Sequence, residues 1–193
     1  MTRIIAGTAR GRKIAVPSEG TRPTSDRARE GLFSSLEARF GLADEIVLDL
    51  FAGSGALGLE AASRGAAEVT LVDNNPRAVK TIIANSKVVE DHPSVRVVEA
   101  KASVFVAGAP RNHYTMVLAD PPYELSGDAV AEMLEALIPH LAEDAVVVVE
   151  RHSESAETAW PEGFETTGQK LKKRTFGIAR FDMAIWRGRD EKR

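Results

Sequence analysis

Apolar and polar positions follow two rhythms along this chain. Five short runs, 46–50, 69–73, 95–99, 115–119 and 146–150, are dominated by apolar residues, as in Ile46-Val47-Leu48-Asp49-Leu50. Runs of this length and composition read as strands buried on both faces. Between them apolar residues return every three or four positions, the spacing of a helix with one buried face. Helices are expected at 56–64, 76–90 and 128–142, with a poorly marked turn near 102–107. Asn75 can cap the second helix, Pro76 is allowed at its first position, and Val79, Ile82, Ile83 and Val89 share its apolar face. Val130, Met133, Leu134, Leu137 and Leu141 do the same for the last. Strands and helices in alternation predict an α/β fold, a mostly parallel sheet with helices on both faces.

The two ends break this rhythm. Residues 3–17 read as a hairpin, with Ile4-Ile5 and Ile14-Ala15-Val16 as arms and Gly7 and Gly11 in the turn. The expected organisation is a β-hairpin arm at 1–20 and a body at 21–193. After a loop at 18–25, Thr24, Ser25 or Asp26 caps a helix that runs to about Phe40 and buries Leu32, Phe33, Leu36 and Phe40. Near the other end, 164–175 and 179–187 read as two strands joined at Phe176-Gly177. They predict an antiparallel hairpin at the edge of the sheet.

Composition narrows the chemistry. A chain of 193 residues can hold one full core with a small appendage. It has no cysteine, which excludes disulfides, thiolate metal sites and a cysteine nucleophile. No pair among His92, His113, His140 and His152 has metal-ligand spacing, so no metal is expected. No apolar run is long enough to span a membrane, and the first residues lack a signal peptide's apolar stretch. The reading is a cytoplasmic protein, by default a monomer.

Net charge is −3, but residues 1–40 carry eight Lys/Arg against four Asp/Glu, leaving −7 for the remainder. A basic arm on an acidic body points to a polyanionic partner. Arg10, Arg12 and Lys13 project from the tip of a hairpin expected to be mobile, a placement that suits phosphate contact. Arg22, Arg27 and Arg29 cluster where the first helix begins, and cations there oppose the helix dipole, so they are read as serving a ligand or partner. Lys172 and Arg174, with Lys170 and Lys173, make the final hairpin basic. The competing reading of each group is a solvated charged surface or a charged edge that prevents strand-to-strand aggregation.

Residues 46–58 carry the first chemical motif. A buried strand runs into Phe51-Ala52-Gly53-Ser54-Gly55, and a helix starts at once. Gly53, Gly55 and Gly58 satisfy the G-x-G-x-x-G fingerprint, and Asp73 lies twenty positions past Gly53 at the end of the next strand. These letters suit a dinucleotide or a sulfonium cofactor such as S-adenosylmethionine. Asp49 separates the two, because a carboxylate there would repel a pyrophosphate and attract an ammonium and a sulfonium.

The second motif follows strand 115–119: Asp120-Pro121-Pro122-Tyr123. Two prolines fix the backbone and leave its carbonyls as acceptors. Asp120 adds a carboxylate and Tyr123 a stacking plate, so the corner can hold a planar group bearing an –NH2. It sits at the carboxyl end of a strand, the edge where ligands bind in open α/β sheets.

Together, Asp49 to Gly58 and Asp120 to Tyr123 resemble the amino-group methyltransferases of the class I, Rossmann-like, S-adenosylmethionine-dependent fold. Arg3-Ile4-Ile5-Ala6-Gly7, Gly11-Arg12-Lys13 and the stretch from Thr21 to Phe33 narrow this to a resemblance to the RsmD-type 16S ribosomal RNA guanine-N2 methyltransferases, covering nearly the whole chain. The resemblance implies S-adenosylmethionine as cofactor, bound by Asp49, Phe51, Ala52, Gly53, Ser54, Gly55, Asp73, Asn74 and Ala102. It implies a target guanine held by Asp120, Pro121, Pro122 and Tyr123. It implies 16S rRNA of an assembled or assembling small ribosomal subunit as partner, met by Arg10, Arg12, Lys13, Arg22, Arg27, Lys172 and Arg174. Relatives commonly place Asp where this chain has Lys101, before Ala102, so one side-chain contact to the adenine differs. An N6-adenine methyltransferase, a nicotinamide-dependent oxidoreductase and a catalytically silent RNA-binding module are the alternatives.

Overall fold

The computed structural model of the protein describes residues 1–17, 24–92 and 94–189. Its main sheet runs in the order β5 (Val95–Glu99), β4 (Glu68–Asp73), β3 (Ile46–Leu50), β6 (Tyr114–Ala119), β7 (Leu141–His152), β10 (Ala179–Trp186), β8 (Phe164–Thr166). The first five strands in that order are parallel, and β10 is antiparallel to both of its neighbours. The chain winds outward from β3 through β4 to β5, then returns to the other side of β3 with β6 and β7. The switch point therefore falls between the carboxyl ends of β3 and β6, where a crevice opens.

Alternation along each strand feeds two separate cores, one per face. Val47, Val69, Leu71, Met116, Leu118, Val146 and Val148 point to one side. There they pack beneath α1 (Asp26–Arg39), α2 (Ala56–Ser63) and α3 (Pro76–Ser86). Leu48, Leu50, Val72, Val117, Ala119, Val147 and Val149 point to the other. They meet α4 (Ala102–Ala107) and α5 (Gly127–Leu137). Each fully buried Val or Leu contributes about 1.5–3 kcal/mol. Ser25 caps α1 by accepting from the Ala28 N–H, and Asn75 caps α3, with Pro76 at its first position. The region near 102–107, expected only as a turn, is helical, and α5 stops at Leu137 ahead of Pro139, which cannot continue a helix.

Three expectations are corrected. The final strands do not form an edge hairpin of two long arms. β10 lies inside the sheet against β7 along 179–185, and two short pieces, Phe164–Thr166 and Thr175–Phe176, pair with its other side. The lysine-rich stretch has no apolar alternation to bury, and it folds into a short helix, α6 (Leu171–Arg174). The turn at Phe176-Gly177 is present, where Gly177 has φ 62° and links β9 (Thr175–Phe176) to β10.

The second correction concerns the N-terminal hairpin. β1 (Thr2–Arg3) and β2 (Lys13–Ile14) pair antiparallel, and Ile4, Ala9 and Ile14 are buried in the same core as α1 and α2. Its turn is fastened to α2. The Ile5 and Ala6 N–H groups donate to Glu60 at 2.8 and 3.0 Å, and the Ala9 N–H donates to Ser63 Oγ at 2.9 Å. The hairpin is thus docked rather than mobile. The third is Arg29, which is turned into the fold and not toward a ligand or partner. It is fully buried, donates to Thr2 Oγ1 and to the Arg3 carbonyl, and pairs with Asp26 and Glu60.

Candidate active site

The loop between β3 and α2 is built from left-handed backbone. Phe51, Gly53 and Gly55 have φ of 59°, 58° and 82°. That conformation costs a non-glycine residue roughly 1–2 kcal/mol. Hydrogen bonds from Ala52 N–H to the Val72 carbonyl (3.0 Å) and from Gly55 N–H to the Ala52 carbonyl (2.7 Å) hold Phe51 in it. A Cβ on Gly58 would lie 2.8 Å from Leu71 and 3.0 Å from Asp49 Oδ2, so a bare α-carbon lets α2 settle on β4 and Asp49. At Gly53 the same test finds open space, so this face of the loop is free for a ligand to approach.

Two acids flank the loop. Asp49 is fully buried; its Oδ2 accepts the Gly58 N–H at 2.8 Å, while Oδ1 has no hydrogen-bond partner among the described residues. Burial pushes its carboxyl up to about 7; the Gly58 N–H opposes this and the charge of Asp73 adds to it. Asp73, at the end of β4, accepts the Gly53 N–H on Oδ2 and the Asn75 N–H on Oδ1, each at 2.9 Å. Each oxygen keeps a lone pair for a further donor. Beside it lies a cleft of 490 Å³, lined by Phe51, Asp73, Asn74, Ala102, Leu125 and Met133 among others. Ala102 is the first residue of α4, where N–H groups have no acceptor within the helix. Lys101, also on the cleft wall, is exposed.

The second motif abuts this loop directly. The Asp120 N–H donates to the Leu50 carbonyl at 3.2 Å, joining the ends of β6 and β3. Pro121 is buried, Pro122 and Tyr123 are exposed, and the turn closes with the Leu125 N–H on the Pro122 carbonyl at 2.9 Å. Arg151 pins the turn from below by donating to the Leu125 carbonyl at 3.1 Å. The corner and the glycine loop therefore share one crevice.

Three positioning groups escaped the reading of the sequence. Glu150 ends the apolar part of β7 and is buried under the corner, accepting from Thr24 Oγ1 at 2.6 Å and from the Tyr123 hydroxyl at 3.2 Å. A lone acid at the carboxyl end of a buried strand was its available signal. Thr24, expected only as a possible helix cap, instead ties the start of α1 to the site. Asn85, buried on α3, exchanges two hydrogen bonds with Ala15 at 2.8 Å each and donates to the Ser54 carbonyl at 2.8 Å. It joins the hairpin's outgoing strand to the glycine loop. Nothing in its local sequence marks that role.

The basic residues divide. Arg10, Lys13, Arg27 and Lys172 are exposed. Arg12 is exposed too, although it donates to the Val88 carbonyl at 2.5 Å. Arg174 is engaged elsewhere, paired with Asp182 and, at 2.7 Å, with Glu157. Arg22 lies outside the described residues. The hairpin turn docks at Ser63, the far end of α2 from the glycine loop. That is roughly 12 Å away, at about 1.5 Å per residue.

A parallel sheet with a reversed strand beside its last parallel one, a left-handed glycine loop and an acceptor corner at the switch point define a class I methyltransferase fold. A phosphoethanolamine N-methyltransferase from Haemonchus contortus, solved with S-adenosylhomocysteine, shares that fold at 18% identity. Its TM-score is 0.57, and the match covers 70% of this chain and 28% of that one. The Escherichia coli protein yhhF is far nearer, with TM-score 0.81 and 32% identity over 96% of this chain and 98% of that chain. The family model described as conserved hypothetical protein 95 matches residues 2–184. Ribosomal RNA small subunit methyltransferase D of Escherichia coli strain K12 is 38% identical over 174 residues, 88% of this chain and 84% of that protein. The chain belongs to this family, the RsmD family.

The residues present fit the cofactor of this fold. Asp49 offers an unpartnered buried carboxylate oxygen, Gly53 an uncovered backbone, and Asp73 spare acceptor capacity beside a cleft large enough for an adenosine.

Proposed function

We propose that this protein transfers a methyl group from S-adenosylmethionine to the exocyclic N2 amine of a guanine in 16S rRNA of the small ribosomal subunit. The observation that carries this reading is the hydrogen bond from Asp120 to the Leu50 carbonyl, which fixes an amine-accepting corner to a cofactor loop. Membership of a family that includes ribosomal RNA small subunit methyltransferase D supports the class of substrate. Such an enzyme works where small subunits are assembled, in the cytoplasm.

Asp49 and the loop from Phe51 to Gly55 hold the methionine end, Asp73 the ribose, and Asn74 and Ala102 the adenine. Bound there, the cofactor supplies a methyl group on a sulfonium whose positive charge is lost with the methyl. The protein's task is to place the nucleophile. Guanine N2 is a weak nucleophile because its lone pair is delocalised into the ring. Acceptance of its two hydrogens by Asp120 and the Pro121 carbonyl favours a pyramidal nitrogen with a directed lone pair, and stabilises the positive charge that grows on it. The target base leaves its stack to reach this corner, and the exposed ring of Tyr123 receives it.

Of the basic residues expected to meet RNA, Arg10, Arg12, Lys13, Arg27 and Lys172 are exposed and available to its phosphates, and Arg22 lies outside the described residues. Arg174 is left out of this set because two carboxylates already hold its guanidinium. Labelled methyl transfer into small subunits and their extracted RNA, followed by nucleoside analysis, tests the proposal. N2-methylguanosine in 16S rRNA is expected; N6-methyladenosine or no incorporation overturns it.

A further inference from the structure

Asp120 and Glu150 follow directly on a pair of registered residues. Ala119 and Val149 are partners in the parallel ladder of β6 and β7. Such strands lie about 4.8 Å apart, so acids at the next position of each are forced close together. Glu150 is 4% exposed. Its Oε2 accepts the Thr24 hydroxyl at 2.6 Å and its Oε1 the Tyr123 hydroxyl at 3.2 Å.

Two hydroxyls and one further carboxylate face this pair. Thr24 comes from the segment before α1, Tyr123 from the corner and Asp49 from β3. His152 packs edge-on against the Tyr123 ring at 5.2 Å. Arg151, the next residue on β7, is turned to the Leu125 carbonyl. Among the described residues neither carboxylate forms an ion pair with a Lys or Arg; Arg22 lies outside them.

Two buried carboxyls this close repel each other when both are ionised, which favours a state in which the pair shares one proton. Burial, then the charge of Glu150, raises the Asp120 carboxyl well above the usual carboxylate range. Burial also raises Glu150, against the hydroxyls of Thr24 and Tyr123. The two hydroxyls favour negative charge on Glu150, which directs a shared proton to Asp120. In that state one Asp120 oxygen is spent as a donor.

Taking Asp120 as the acceptor of the target amine, as proposed above, we infer that Asp120 and Glu150 work as one proton-sharing pair with Glu150 as its positioning residue. When the amine docks, the shared proton moves onto Glu150 and frees Asp120 to accept one N2 hydrogen, the other going to the Pro121 carbonyl. After transfer one N2–H bond breaks, its electron pair stays on nitrogen, and the proton forms an O–H bond on Asp120. The pair then goes from one negative charge to none while the cofactor's positive charge is lost, so the buried site keeps its net charge. The proton is finally released to water. This supplies the proton acceptor that neither motif reveals.

The test is infrared titration of the carboxyl stretches in the ligand-free protein, wild type against Glu150→Gln, beside pH profiles of kcat and KM. Gln keeps the shape of the side chain but cannot ionise. The wild type should show a protonated carboxyl at pH 7 and a two-step titration assigned to the pair. Glu150→Gln should show a single Asp120 step at lower pH, a loss of roughly 100-fold or more in kcat, and KM within about threefold for both substrates. Glu150→Asp, still ionisable, should keep two steps and recover part of kcat. If Glu150→Gln titrates as the wild type does, or loses only KM or thermal stability, the pair does not share a proton. If Asp120→Asn transfers methyl at the wild-type rate, the reading of Asp120 as amine acceptor fails instead, whatever the spectra show.

Discussion

The protein treats its buried carboxylates in two opposite ways. Near the chain's end, Asp182 is saturated with donors. Arg180 donates to both its oxygens at 2.8 and 3.0 Å, Thr158 donates twice to Oδ2 at 2.9 and 2.8 Å, and Arg174 adds a third charged contact. Burial alone would raise this carboxyl, but the Arg180 guanidinium and the Thr158 donors hold it below the usual range. At the carboxyl edge of the sheet, Asp49, Asp120 and Glu150 have no described cation, and all three are raised. A buried acid without a cation is costly. Its persistence at one edge, beside an uncovered glycine loop, marks where positive charge is to be supplied by a ligand. Paired acids hold the fold together; unpaired ones hold the site ready.

Substitutions sharpen this contrast. The largest effect is expected at Asp120→Ala, which should lower methyl transfer by about 1,000-fold while S-adenosylmethionine affinity, measured by calorimetry, stays near wild type. Next comes Asp182→Ala, which strands two guanidiniums. Chemical denaturation should show a loss of about 3–5 kcal/mol, with cofactor affinity in the folded protein unchanged.

Asp49→Asn should do the reverse. The folded pKa of Asp49, about 7, lies above its unfolded value of about 4. The stability it contributes is therefore complete below about pH 4 and lost as pH rises to about 7. Replacing it should raise the stability of the ligand-free protein at pH 8 by about 1–2 kcal/mol, and weaken S-adenosylmethionine binding by about tenfold or more. The smallest effect is expected on the hairpin. Arg10→Gln and Lys13→Gln should each weaken RNA binding a fewfold and reduce its salt slope by about one. Deletion of residues 1–17 would instead strip Ile4, Ala9 and Ile14 from the core.

Much of the parallel sheet was legible because its strands are buried on both faces, and that burial demands apolar runs at almost every position. The two site motifs were legible because glycine and proline are chosen for backbone geometry, as at Gly53, Gly58 and Pro121. The final strands were harder. A charged stretch such as 170–174 carries no periodicity, and whether β10 lies at an edge or inside the sheet depends on β7, far away in sequence. Arg29 looked like a ligand-binding cation because its partner Glu60 is 31 positions away on another helix. Thr24 and Asn85 were illegible for the same reason, and Glu150 showed only as an acid at a strand's end: each acts through contacts that exist only in the folded chain.

The central claim is that Asp49 stays uncharged or poorly stabilised until the cofactor's positive charge arrives. Calorimetric titration of S-adenosylmethionine onto the wild type and Asp49→Asn, at several pH values in buffers of different ionisation enthalpy, measures this directly. Binding to the wild type should release protons below about pH 7, with affinity rising as pH rises, and Asp49→Asn should release measurably fewer. Equal proton release by the two proteins, or equal affinity at every pH, would contradict the account.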